Sequence, residues 1–239
     1  MTVRFLTSAF VLSLAACGGS GSDLDPGAGD NPGGGTRTLF VEGRVSAEAR
    51  LANARVAAEF DTDFSIRILL NQVPVTTGTV TLTSASGQFP LAFNVDGEPR
   101  WTGRQNGYDE VYILDIESGP DNVHDVRVDG PDVHVFDKPL AGSTVDSTMP
   151  LQIDWSRGDT ADIASIDTGV LDKLSIPDSG TYMLAAGALQ AEKDQPKENT
   201  IQLERNDRVL PAGAIAGSEF SVRVRNDITI VAAPNPLLP

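Results

Sequence analysis

The sequence predicts an all-β chain: two tandem antiparallel β-sandwiches behind a cleaved signal peptide and a disordered tether. Three observations carry this expectation. Apolar and polar residues alternate in short runs, as in Thr79-Val80-Thr81-Leu82-Thr83, in Phe89, Leu91, Phe93 and Val95, and in Ser221-Val222-Arg223-Val224-Arg225. The runs end in Gly, Pro, Asn or Asp, the punctuation of antiparallel sheets with one wet face. The length of 239 residues is enough for one or two ordinary domains, and each half, about 100 residues, is a common size for a single-core sandwich.

Composition narrows the function. Thirty-three Asp and Glu against 18 Lys and Arg give a formal net charge of −15. Such a surface opposes extended contact with nucleic acid, whose phosphates demand a basic face. One cysteine excludes an internal disulfide and any Cys-rich zinc site. Two histidines leave little material for His-based catalysis.

Residues 1–16 read as a secretory signal. Arg4 supplies a positive start, and Phe5 to Leu14 form an apolar run shorter than the roughly 20 residues that span a bilayer. Small residues then precede the sole cysteine. The string Leu14-Ala15-Ala16-Cys17 resembles the lipobox of bacterial lipoproteins. That resemblance implies cleavage before Cys17, diacylation of its thiol and acylation of the new amino group. Two or more acyl chains give stable anchoring where one gives only marginal binding. The implied partner is therefore a lipid bilayer. Gly18 follows the cysteine; in Gram-negative lipoproteins Asp at that place favours inner-membrane retention, so Gly implies the outer membrane.

Residues 17–35 read as the lipidated cysteine and a Gly/Ser/Asp/Pro tether, with a mean reach of roughly 20–25 Å. Its G-x-G spacings lack the flanking strand and helix of a phosphate-binding loop.

Residues 36–137 are expected to form the first sandwich. Ser46 to Phe60 fits either a helical turn, with Ala47, Leu51, Ala54 and Ala58 at near-helical spacing, or two short strands; the sheet context favours strands. Asn106-Gly107 signals a type I′ hairpin that would pair Gln105 with Tyr108, Arg104 with Asp109 and Trp101 with Tyr112. Trp101, Gln105, Tyr108, Glu110 and Tyr112 would then share one face, able to stack a sugar or grip a peptide; packing of Trp101 and Tyr112 in the core is the simpler alternative. The run Val75 to Leu82, with Gly107-Tyr108 and Tyr112, resembles transthyretin-like and carboxypeptidase-regulatory-like sandwiches. Further on, Gly130-Pro131 is expected to centre a hairpin placing Asp129 opposite Asp132, and Val128 opposite Val133. In that register His124 and His134 point to opposite faces and do not share an ion; a one-residue slip, the less natural register, would bring them to one face for a transition metal, and the acid-rich turn offers oxygen ligands to Ca²⁺. No other cofactor is expected.

A boundary is expected at Asp137-Lys138-Pro139, with residues 138–234 forming the second sandwich and 235–239 a tail. Pro150-Leu151-Gln152-Ile153-Asp154-Trp155 and Asp178-Ser179-Gly180-Thr181-Tyr182 resemble an early strand and the tyrosine corner of bacterial immunoglobulin-like domains. The resemblance implies structural roles for Trp155 and Tyr182, with the Tyr182 hydroxyl tied to backbone. The antibody cysteines are absent; Leu184 stands where the second would. Arg205, Arg208, Arg223 and Arg225 read as scattered solvent-face charges.

The sequence contains no G-x-S-x-G, H-E-x-x-H, P-loop, C-x-x-C or EF-hand motif. The leading expectation is an outer-membrane or cell-surface lipoprotein whose body is a structural or protein-interaction module and not an enzyme. The alternative is a carbohydrate- or peptide-binding lipoprotein using the Trp101/Tyr108/Tyr112 face. A third reading is a hydrolase with a carboxylate site, which the fold class does not exclude.

Overall fold

A computed structural model describes residues 24–237; the expected signal peptide, Cys17 and residues 18–23 lie outside the described residues. In chain order the strands are β1 (Gly34–Gly35), β2 (Leu39–Ala49), β3 (Phe60–Leu70), β4 (Val73–Pro74), β5 (Thr79–Ser84) and β6 (Gly87–Pro90). Next come β7 (Ala92–Asn94), β8 (Arg100–Asn106), β9 (Val111–Ser118), β10 (Asp121–Asp129), β11 (Val135–Lys138) and β12 (Thr144–Val145). The last are β13 (Leu151–Ser156), β14 (Ile163–Asp167), β15 (Leu174–Ile176), β16 (Thr181–Leu184), β17 (Lys197–Val209) and β18 (Glu219–Ala232). The protein is all-β. Ser46 to Phe60, open between helix and strand in the sequence, contains the end of β2, a loop, a 3-10 turn at Ala57–Glu59 and the first residue of β3.

The strands form three sheets: β1-β10-β9-β5-β6, β11-β13-β16, and a ten-stranded sheet whose path runs β15-β14-β17-β18-β2-β3-β8-β7. The alternation seen in the sequence sorts residues to one buried face of each strand. Leu39, Val41, Phe64 and Ile66 of the large sheet meet Leu82, Tyr112, Leu114 and Val128 of the five-stranded sheet in the first core. Phe136, Ile153, Trp155 and Leu184 of the three-stranded sheet meet Ile166, Ile201, Leu203 and Ile228 of the large sheet in the second.

The hairpin β17–β18 belongs to both cores. Its strands, 13 and 14 residues long, pair from Lys197↔Ala232 to Val209↔Phe220. At about 3.4 Å per residue the hairpin is ~45 Å long, more than one sandwich needs. Ile201, Leu203, Ile228 and Ile230 lie in the second core, and Val209, Phe220, Val222 and Val224 in the first. β18 also pairs in parallel with β2, from Glu219↔Glu42 to Arg225↔Glu48. Residues 138–234 are therefore not a free-standing second unit. The inward face of β18 runs from Phe220 and Val222 in the first core through Asn226 to Ile228 and Ile230 in the second, so one strand serves both.

Both turns expected to make hairpins make crossovers instead. β8 pairs with β3 and β7, whereas β9 pairs with β5 and β10, so the chain changes sheets at Asn106-Gly107. Gly107 takes φ +85°, its N–H donates to the Phe60 carbonyl at 2.8 Å, and its carbonyl accepts the Thr62 hydroxyl at 2.6 Å. Arg104 pairs with Asp63 at 2.7 Å, not with Asp109. At Gly130-Pro131 the chain likewise leaves β10 for β11 of another sheet. Gly130 fits because Val222 and the Tyr108 hydroxyl occupy the space that a Cβ would need. Local turn chemistry sets a change of direction; it does not choose the strand that follows.

The expected tether is partly a strap. Gly34 and Gly35 pair with His124 and Val123 of β10, and Asn31 bridges to Arg127. The Asp129 carboxylate accepts the Gly27 and Gly29 amides, Asp30 accepts the Asp129 amide at 2.8 Å, and the Pro32 carbonyl accepts the Ala212 amide at 2.7 Å. Glycine here serves close approach. A Cβ at Gly33 or Gly35 would run into the carbonyls of His124 or Asn122.

Candidate functional site

The expected aromatic face is inside the protein. Because β8 and β9 lie in different sheets, Trp101 and Tyr112 enter one core from separate sheets and do not sit side by side on a surface. Trp101 is 6% exposed, Tyr108 3% and Tyr112 0%. Trp101 packs edge-on to Phe93 with centroids 5.5 Å apart, and its indole N–H donates to the Val75 carbonyl at 2.9 Å. Tyr112 packs edge-on to Phe64, and its hydroxyl accepts the Asp109 amide at 3.1 Å. The Tyr108 hydroxyl donates to the Pro131 carbonyl at 2.7 Å. Gln105 is buried and donates to Asp109 at 2.7 Å; Glu110 is half-buried. Packing and backbone carbonyls use up the ring faces and polar tips that a sugar would need. The five residues do not form an open binding face.

The most concentrated polar chemistry lies between the two cores. Arg205 and Asp207 on β17 and Asn226 on β18 occupy inward positions where the apolar alternation breaks. Arg205 is 0% exposed, so the expectation that it lies on the solvent face is corrected. Its Nε donates to Asp178 Oδ2 at 3.0 Å, Nη1 to Asp132 Oδ1 at 2.7 Å, and Nη2 to Asp159 Oδ1 at 2.9 Å. Nη1 and Nη2 also reach the carbonyls of Asp132 and Asp159. One guanidinium thus ties the β10–β11 crossover, the loop before β14 and the turn before β16 to the central hairpin. Burial alone would lower the Arg205 pKa; the Asp132 hydrogen bond and the charges of Asp178 and Asp132 outweigh it and raise the value. Asn226 supplements this. Its amide donates to the carbonyls of Ala54 and His134, both at 2.8 Å, and accepts the Ala54 amide.

The acids around this belt have diverged. Burial, then the nearby charges of Asp162 and Asp159, push the Asp207 pKa up to about 7 against the opposing Asp162 amide bond. Glu110 is raised by burial and by Asp132, Asp159 and Asp129. Asp132 is held low despite its burial, with the Arg205 guanidinium and the Gly158 amide donating to its carboxylate. His134, fully buried, has its pKa lowered to about 3 by burial and by Arg205.

No protein-family model matches the chain, and no curated protein sequence matches it significantly.

The remaining expected sites fall apart geometrically. His124 lies on β10 at the surface near Asp115 and Glu117, whereas His134 is sealed between the cores. The acid-rich turn does not present converging carboxylates for Ca²⁺: Asp129 faces the strap and Asp132 faces Arg205. Among the described residues no group of three or more His, Cys, Asp or Glu is arranged to hold a metal ion. In the corner of the second sandwich, Asp178 does the tying. It accepts the Trp155 indole N–H at 3.2 Å and the Ala161 amide at 2.7 Å, while Tyr182 pairs its backbone with Ile153. The sequence reading missed Arg205, Asp207 and Asn226. The available signal was their place in register: Ile201, Leu203, Arg205, Asp207 and Val209 share one face, as do Val224, Asn226 and Ile228.

Proposed function

We propose that the protein is an envelope lipoprotein, anchored through acyl groups on Cys17, whose fused double sandwich is a rigid, non-catalytic module for contact with other envelope components. The observation that carries this reading is Leu14-Ala15-Ala16-Cys17 behind a short apolar run, with the sole cysteine of the chain in the lipidated place. The docked strap supports it. Residues 25–35 are fastened along β10, so an anchor at Cys17 would hold the ordered body within about 30 Å of the lipid, the extended reach of eight residues. The belt carboxylates support the non-catalytic part, because Asp132, Asp159 and Asp178 are engaged in binding Arg205. Gly18 favours the outer membrane. The carbohydrate reading loses its residues with the burial of Trp101, Tyr108 and Tyr112.

The test is metabolic labelling in bacterial cells with an alkyne-bearing fatty acid, followed by membrane fractionation. The intact chain is expected to take up label and sediment with membranes, and Cys17→Ser to do neither. An intact chain that is exported but unlabelled and soluble would overturn the proposal.

A further inference from the structure

At the end of the first sandwich remote from the Arg205 belt, a cleft of about 730 Å³ opens between the start of β2, the β3–β4 turn and the β17–β18 loop. That volume lies within the roughly 300–1,000 Å³ of small-ligand sites. Phe40, Leu70 and Ile215 line it, with Arg37, Asn71 and Gln72 at its polar margin. Three of these residues have left-handed backbones: Arg37 at φ +61°, Asn71 at +51° and Gln72 at +67°. Asn71 and Gln72 are accounted for, because consecutive positive φ values make the two-residue turn between the paired strands β3 and β4.

Arg37 is not accounted for by its backbone. The other left-handed positions of the strap, 27, 29, 33 and 35, are all glycine. Glycine would serve at 37 as well, since the fixed contact there is a backbone one, from the Arg37 N–H to the Gly213 carbonyl at 2.8 Å. The side chain is instead held by its Nε, which donates to the Ala212 carbonyl at 3.1 Å. Nη1 and Nη2 remain, and among the described residues no carboxylate lies within 4.0 Å of them. Asp121, which also lines the cleft, accepts the Thr38 hydroxyl at 2.6 Å. In a chain of net charge −15, most of whose arginines are paired, Arg37 is one of three described arginines, with Arg44 and Arg55, whose guanidinium meets no carboxylate, and it lines a cleft whose wall is part polar and part apolar. Left-handed backbone at a non-glycine residue is strain, and strain kept beside a cleft points to use.

We propose that this cleft binds the carboxylate end of a short apolar peptide segment. The Arg37 fork would take the carboxylate, Phe40, Leu70 and Ile215 the terminal side chains, and the Asn71 and Gln72 amides the peptide backbone. A peptide is favoured over a simple fatty acid because the latter has no use for those amides.

The test uses the full chain carrying Cys17→Ser, with N-acetyl-leucyl-leucine, its C-terminal amide and octanoate as probes, followed by amide chemical shifts in nuclear magnetic resonance. The acid is expected to bind saturably at millimolar concentration with shifts at residues 37, 40, 71, 72 and 215. The amide and octanoate are each expected to bind about tenfold more weakly or less well still. Arg37→Gly keeps the backbone conformation and removes the guanidinium; it should lose binding with no loss of thermal stability. Absence of saturable binding, equal binding of acid and amide, or unimpaired binding by Arg37→Gly would each overturn the proposal. Octanoate binding as tightly as the peptide acid would overturn the peptide assignment.

Discussion

Arg205 holds a charge with no exposed surface, and three carboxylates answer it. Removing one partner of a buried ion network costs more than the network contributes, because the other partner stays buried and unpaired. Asp178, whose side chain is 1% exposed, would lose its closest cation and keep only the Trp155 and Ala161 hydrogen bonds and Arg157 at 3.9 Å. Arg205→Ala is therefore expected to destabilise the fold by about 3–5 kcal/mol, read from urea unfolding. Asp207 behaves in the opposite sense. Its pKa is raised from the usual carboxylate range to about 7 by burial, so the folded state binds a proton that the unfolded state releases. Stability from this group is fully present below about pH 4 and is lost as pH rises towards 7. Asp207→Asn can still accept the Asp162 amide, and is expected to be more stable than the parent at pH 8 with a flatter profile between pH 4 and 7. A variant less stable at pH 8 would contradict this account of Asp207. Trp101→Ala should cost about 3–5 kcal/mol, as for any buried large aromatic, measured by the same unfolding.

The strap shows how an element can be read correctly in composition and wrongly in purpose. Gly33 and Gly35 permit backbone to lie against backbone, which a glycine-rich linker and a glycine-rich strap both require of their sequence. Gly35→Ala should free the segment before β2, costing about 1–3 kcal/mol where the side chain must be accommodated. Amide hydrogen exchange at residues 31–36 should then rise sharply while β2 and β3 keep their protection; unchanged protection would mean that the strap does not depend on close approach. The strands themselves were legible, because burial on one face needs period-two alternation whatever the partner. Their partners were not. Asn106-Gly107 and Gly130-Pro131 carry strong turn chemistry, but a turn between sheets and a turn within one ask similar things of the backbone. The belt was half legible: Arg205, Asp207 and Asn226 interrupt inward faces, yet an inward charge can be recognised only once its face is known.

At the scale of the whole molecule, the β17–β18 hairpin makes two cores into one body. A hinge between two domains needs few crossing contacts. Here two continuous strands cross, and Arg205 and Asn226 clamp the loops on either side. Such a body would hold its surfaces, including the cleft beside Arg37, at a fixed distance and angle from an anchored strap. The two tryptophans, one in each core, offer separate reporters: Trp101 in the first and Trp155 in the second. The decisive measurement is urea unfolding of the Trp155→Phe and Trp101→Phe variants by fluorescence, each paired with Leu203→Ala in the second core. The account predicts that Leu203→Ala shifts the Trp101 signal of the first core and the Trp155 signal of the second to lower urea by the same free energy. A first-core signal that ignores Leu203→Ala would show two independent units and contradict it.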